Sequence, residues 1–445
     1  MYIYSCYTVL SIITIYVILI SVYIYRRSYS LVPIVPLFVI YFWSIFGAWT
    51  WIPFKLNGGF YFYEDILFEV KIDEYYFFSL LYYSLFLFVF SICEASYINR
   101  KRIYLSNAGC RKQYLDTIDK LVSSKKYHFV VYSFLLFFLF FSYRDIASAI
   151  GGGVSAYQLS RFDSTTKGLT SLVQFCGDTF VFLSIPLLFS RKLKQKIIVL
   201  CLFGLFFSFN FLLGNRSILL CGMLIAFLLY SELNGVKKAL RLRNIVMVLF
   251  VFVAIQLISF FRGLSTNEIM FSDVQQISIA NVLLSALKSS EQYASQMSMY
   301  GVLKYDVDFT YGSSVLFLIS TFIPAFVGIQ RPMTVYQYYI KNTVGSRPEL
   351  GVTINHATGW YLNFGVLGII LGAMLWAYTL KYFIVRKNNF VYMYIAIVFS
   401  VISIQMIRDG GLESYKGGLF LDAIIPMVII RQFIRDDKRV IKYNS

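Results

Sequence analysis

The chain has 445 residues, of which 58% are hydrophobic and 19% aromatic while only 14% are charged, and its mean hydropathy is +0.67. Soluble globular chains are about half apolar and about one quarter charged, so a soluble globular protein, a disordered chain and a disulfide scaffold are all excluded. The 40 Lys and Arg against 23 Asp and Glu leave a net charge of +17, which in a membrane protein belongs to the connections on the cytoplasmic side rather than to nucleic acid.

Runs close to the ~20 residues that cross a bilayer lie at about 3–25, 31–52, 75–97, 129–143, 168–189, 197–213, 217–231, 244–261, 359–381, 390–407 and 417–433. They predict an all-α polytopic membrane protein of about 11–12 transmembrane helices, one membrane domain over 1–445. The first run ends in Arg26-Arg27 without a small-residue cleavage site, so it reads as an anchor rather than a signal peptide. Basic stretches at 26–27, 99–126, 191–196, 237–243, 386–387 and from 431 onward alternate with the other connections and mark the cytoplasmic side. The outer side then receives 53–74, 144–167, the turn at 214–216, the large loop region 262–358 and 408–416. Within that region 313–329 is apolar enough to enter lipid, yet a single crossing there breaks the alternation, so it is expected to be re-entrant or interfacial, the alternative being that 277–300, which carries Lys288 and Glu291, also crosses. Gly151-Gly152-Gly153 has no preceding strand and no following Lys-Ser/Thr, and reads as loop.

Topology sorts the ionisable residues. Arg144, Arg161, Arg216, Arg262, Arg331, Arg347 and Arg408 fall at the outer ends of spans, where the positive-inside bias does not account for them. A guanidinium stays charged and binds phosphate with a two-pronged fork, so such a set suits a lipid-linked pyrophosphate; for any one of them, snorkelling to lipid phosphate is the competing reading. His356, one of two histidines, and Glu349 are candidate general bases near the membrane surface, unless His356 serves only to hold the start of the next helix. Tyr311, Tyr336, Tyr338 and Tyr339 are candidate sugar-stacking faces, although interface belts account for most tyrosines in such a chain. The six cysteines form no C-x-x-C pair, and G-x-S-x-G, H-E-x-x-H and paired Cys/His spacings are absent, so no metal and no cofactor is expected.

The segments YGSSVLFLISTFIPAFVGIQRP (311–332) and INHATGWYLNFGVLGIILG (354–372) resemble the bacterial O-antigen and capsule polymerases of the Wzy type, relatives of the O-antigen ligases with a GT-C-like fold. The resemblance implies a metal-independent glycosyltransferase of the bacterial cytoplasmic (inner) membrane with its site facing outward. Its donor and acceptor are polyprenyl-pyrophosphate-linked oligosaccharides, undecaprenyl pyrophosphate is released, and a chain-length regulator protein is a further partner. Arg216, Arg262, Arg331 and Arg408 would bind the pyrophosphate, and His356 would be the base or an acceptor-positioning group, with Glu349 as the rival base; Arg161, Arg347 and Tyr336 are further candidates for touching glycan. Ligases carry Asn, Ser or Gln after the His and nine residues before G-x-x-G; here Ala357 follows, with seven residues before Gly365-Val-Leu-Gly368, which keeps Glu349 in contention. A flippase of lipid-linked oligosaccharide and an O-antigen ligase are the alternatives. The flippase is disfavoured by spans nearly free of charge at mid-membrane.

Overall fold

A long apolar run in lipid has no water to satisfy its peptide groups, and the α-helix is the one conformation that satisfies them within a single segment. The computed structural model describes residues 2–56, 68–101, 108–161, 167–212, 217–242, 244, 291–321, 331–343, 353–387, 389–408 and 410–443, and among these every regular element is a helix. Ten helical stretches are long and apolar enough to cross a membrane. The expected span at 244–261 lies outside the described residues. The chain falls into two compact units, one of 1–105, 288–385 and 399–420, the other of 106–287, 386–398 and 421–445.

The first unit holds α1 (Tyr2–Ser28), α2 (Ile34–Tyr41), a π-helical stretch at Phe42–Phe46, α3 (Gly47–Leu56) and α4 (Glu74–Lys101). Helices α1 and α4 run in the same direction in one register. Tyr2 packs on Phe77 and Tyr16 bonds Ser91 at 2.6 Å, both 75 residues apart. Ile12, Ile15, Leu19 and Val22 stay exposed along α1, the lipid-facing side of a helix whose other face is packed.

The second unit holds α5 (Ala108–Ser123), α6 (Lys125–Arg161), α7 (Lys167–Ser184), a 3-10 turn at Ile185–Phe189, α8 (Leu193–Leu212) and α9 (Ser217–Asn234). Phe138, Phe180 and Phe206 stack in its core, with ring centroids 4.8 and 5.3 Å apart about Phe206. The buried Tyr127 donates to the Leu183 carbonyl at 2.6 Å, and Tyr394 to Phe182 at 2.8 Å. Both acceptors lie just before Pro186, which cannot donate in the helical ladder and turns α7 into the 3-10 segment.

One expectation is corrected here. Residues 144–161, read as loop, continue the helix of the preceding span, and the triple glycine lies inside it. Extending a formed helix costs far less than starting one, so each glycine's loss of about 1 kcal/mol is tolerated. At 37 residues, α6 is about 55 Å long and outreaches the hydrocarbon.

The remaining elements return to the first unit: α10 (Glu291–Lys304), α11 (Ser313–Thr321), α12 (Val335–Thr343) and α13 (His356–Val385). The described part of the segment expected to be re-entrant is α11, whose nine residues reach only about 14 Å. Then α14 (Phe390–Arg408) begins in the second unit and ends in the first, and α15 (Ile425–Tyr443) closes the second.

Helix α13 is two helices. Phe364 (φ −145°, ψ 21°) and Gly365 (φ 62°, ψ −146°) leave helical geometry, and the positive φ at Gly365 is a conformation that side chains with a Cβ disfavour. Residues 366–385 supply the length of one span, and 356–363 form a short helix before it.

Candidate functional site

The short helix 356–363 begins at Asn355, whose Oδ1 accepts from the Ala357 N–H at 3.0 Å and so caps a helix end that has no intrahelical partner. The Asn355 amide donates to Ser44 Oγ (3.0 Å) and Ser295 Oγ (3.3 Å), and its backbone N–H donates to Ser298 Oγ at 3.0 Å. Beside it, the Tyr83 hydroxyl donates to the Gln296 carbonyl at 2.9 Å and lies 3.1 Å from Thr358 Oγ1, which is itself 2.9 Å from Ser298 Oγ. All of these side chains are buried. A satisfied polar network of this kind fixes one arrangement, because any shift strands a buried donor.

His356 sits at the centre of this junction, fully buried. The Trp360 indole, which can only donate, gives its N–H to His356 Nε2 at 3.0 Å. The proton of the ring therefore belongs to Nδ1, which faces Ser414 Oγ at 3.5 Å, with the Gly410 and Met406 carbonyls against the ring. Trp376 stacks edge-on at 4.8 Å. With both nitrogens engaged, the imidazole ties α13 to the turn after Arg408.

Backbone contact holds the same turn. A Cβ placed on Gly359 falls 2.2 Å from the Gly411 nitrogen and 2.6 Å from its Cα, so only glycine permits this approach. From the turn, Glu413 reaches the start of α12: its Oε1 accepts from the Val335 N–H at 2.7 Å, and the Tyr336 N–H also points to the carboxylate. Thr334 and Gln337 complete that helix end with a reciprocal capping box, at 3.0 and 3.1 Å. The second oxygen of Glu413 is buried and has no hydrogen-bond partner among the described residues. Burial pushes the Glu413 carboxyl above the usual carboxylate range, and the N–H groups only partly oppose this.

These ties bring Arg331, Arg408 and Lys416 to one end of the unit. Arg331 lies four residues before Val335 and is exposed, Arg408 ends α14 half-buried, and Lys416 is within electrostatic reach of Arg331. Of the residues singled out in the sequence, the structure thus gathers Arg331, Arg408, His356 and the half-buried Tyr336. Arg161 ends α6 in the second unit, its side chain outside the described set. Arg216, Arg262, Arg347 and Glu349 lie outside the described residues.

Two groups that sequence reasoning passed over stand out. Glu413 carried no signal in IRDGGLES beyond its position in an outer turn. Glu94 lies inside the third span, 1% exposed, with neither carboxylate oxygen hydrogen-bonded among the described residues. The charge nearest to it in effect is Lys381 of α13, whose ammonium sits 4.6 Å from the Tyr97 ring centre and 4.8 Å from that of Tyr378. Asp178, buried in α7 with Gln174 as partner, is a further carboxyl within a span. Asp178, near the middle of its span, departs from the reading of spans nearly free of charge at mid-membrane, whereas Glu94 lies close to the end of the run 75–97.

No family model matches the chain, and no curated protein or solved structure matches it either.

Proposed function

We propose that this multi-pass membrane protein is a glycosyltransferase that joins polyprenyl-pyrophosphate-linked oligosaccharide units at the outer face of the bacterial cytoplasmic membrane. The observation that supports this reading best is the gathering of Arg331, Arg408 and Lys416 around a turn whose carboxyl, Glu413, has a raised pKa and one oxygen with no hydrogen-bond partner among the described residues. In the step proposed, an acceptor sugar hydroxyl attacks the anomeric carbon of the donor, and the bond from that carbon to the pyrophosphate oxygen breaks. The electron pair leaves with polyprenyl pyrophosphate, where pre-placed cations offset the developing charge. The hydroxyl proton passes to a carboxylate. Glu413 takes that role in preference to His356, because both nitrogens of His356 are already engaged; Glu349 is the second carboxylate for the same step. His356 is then a positioning residue.

A carrier of lipid-linked oligosaccharide is the second reading, and Glu94 and Asp178 inside spans are what favours it. One experiment separates the two. Purified protein is supplied with undecaprenyl-pyrophosphate-linked oligosaccharide units in detergent, beside Arg331→Ala, Arg408→Ala and Glu413→Gln. A ladder of longer glycans that collapses in the three variants supports the enzyme. Absence of a ladder, with translocation of the same lipid in sealed vesicles, overturns it in favour of the carrier.

A further inference from the structure

The second unit contains a cavity of about 340 Å³ that the proposed reaction does not use. It lies at one membrane face, because its walls come from the 3-10 turn that ends one span, the first turn of α8 and the last turn of α9. Leu188 and Phe189 form its apolar side together with Leu115 and Leu233. Arg111, Lys196, Tyr230 and Asn234 form the polar side. This is also the face on which the basic connections gather.

The cavity is electrostatically one-sided. Arg111 donates to Asn234 Oδ1 at 3.1 Å, an uncharged partner. Neither Arg111 nor Lys196 lies within salt-bridge distance of a carboxylate among the described residues. The acid nearest the lining in sequence is Glu232, buried on α9 between Tyr230 and Leu233, while Asp116 and Asp119 are engaged with Arg191, at 3.7 and 3.3 Å. Two cations therefore stand over an apolar floor at interfacial depth, neither of them in a salt bridge among the described residues. A cavity of this size is at the lower end for small ligands. It calls for an amphiphile: an anion for the rim and hydrocarbon for the floor.

The geometry points to a binding site for the phosphodiester of an anionic glycerophospholipid, with Arg111 and Lys196 on the phosphate oxygens and the first acyl methylenes on Leu188 and Phe189. Inorganic phosphate supplies the same anion without the hydrocarbon, and zwitterionic lipid supplies the phosphate already offset by its own cation. The three are therefore separable. The site is independent of the proposed glycosyltransferase reading, since it lies in the other unit and needs no sugar.

The test uses full-length protein, delipidated in detergent and titrated with dioleoyl phosphatidylglycerol, with dioleoyl phosphatidylcholine, or with phosphatidylglycerol in the presence of sodium phosphate. Retained lipid is counted by native mass spectrometry. Phosphatidylglycerol is expected to be held in preference to phosphatidylcholine, and millimolar phosphate is expected not to displace it. Arg111→Gln and Lys196→Gln should each weaken retention about fivefold, as one surface cation near an anionic lipid contributes, and Lys196→Arg should restore it. Equal retention of the two lipids overturns the proposal. So does a double Gln variant that binds like the parent, or displacement by phosphate at the lipid's own concentration. Should the variants fail to fold, salt decides: a preference for phosphatidylglycerol in the parent protein that survives molar salt also overturns it, because paired surface charges are screened within about 3 Å there.

Discussion

Gly359→Ala isolates the contact on which the candidate site hangs. The added methyl meets the Gly411 backbone at 2.2 and 2.6 Å, and the Gly410 carbonyl carbon at 3.2 Å. None of these atoms belongs to a flexible side chain, so either the short helix or the turn must give way by about 1 Å. Overpacking of this kind costs about 1–3 kcal/mol. The better helix propensity of alanine returns at most about 1 kcal/mol, leaving a net loss of up to about 2 kcal/mol. Gly204 in α8 provides the opposite case, since a Cβ there meets nothing within 4 Å. Gly204→Ala should therefore stabilise by up to about 1 kcal/mol, making a gap of up to about 3 kcal/mol between two chemically identical substitutions. Thermal unfolding of the detergent-solubilised protein, followed by the fraction surviving size-exclusion chromatography, reads both. Displacement of the turn should also lower glycan transfer in Gly359→Ala, because Glu413 rides on it. Shifts of equal sign, or a Gly359→Ala variant as stable as the parent, would refute the close approach.

A double-mutant cycle between Ser44→Ala and Asn355→Ala should give a coupling of about 1 kcal/mol in unfolding, as expected for one buried hydrogen bond; additive losses would show that the 3.0 Å contact contributes nothing. Glu413 carries a raised pKa in the folded protein, so its contribution to stability is complete below the ordinary carboxylate range and is lost as the pH rises through the raised value. Parent stability should accordingly fall relative to Glu413→Gln over that interval, and a pH-independent difference would contradict the burial of the carboxyl. Glu94→Met should melt no lower than the parent, because replacing a buried carboxyl without hydrogen-bond partners by a group of similar volume relieves desolvation. A loss of more than about 3 kcal/mol would mean that Glu94 is paired more closely than its surroundings indicate.

The spans were legible because lipid imposes a single requirement, an unbroken apolar run of about 20 residues, and that requirement is local. Ten of the runs read from sequence appear as helices. What escaped depends on partners far away in the chain. Glu413 matters through a helix start 78 residues before it, and nothing in GLES announces that. Glu94 disappears in an apolar window, since one carboxylate among aromatic and aliphatic residues hardly changes an average. His356 was visible as a rare residue, yet its role turns on Trp360 one helical turn later and on Ser414, 58 residues away. The break at Phe364–Gly365 was hidden for a different reason: both halves are apolar, so hydropathy runs through it without a dip. Arg331 and Arg408 were singled out by depth alone, and the fold adds the turn that joins them.

The polar network of the first unit also bears on the order of synthesis. Ser44 and Asn355 are separated by 311 residues and Tyr83 and Thr358 by 275. At the usual 5–20 residues per second the earlier partner of each pair waits on the order of tens of seconds after it is made. During that time hydroxyls destined for a dry interior have no protein acceptor, and in hydrocarbon each would cost several kcal/mol. The early helices therefore enter the membrane as an incomplete set, open to water or to a membrane chaperone on that side. A ribosome stalled before residue 291 would leave Tyr83 accessible to modification from the aqueous phase, and the same tyrosine would become protected once α10, which carries its Gln296 acceptor, and the short helix had followed.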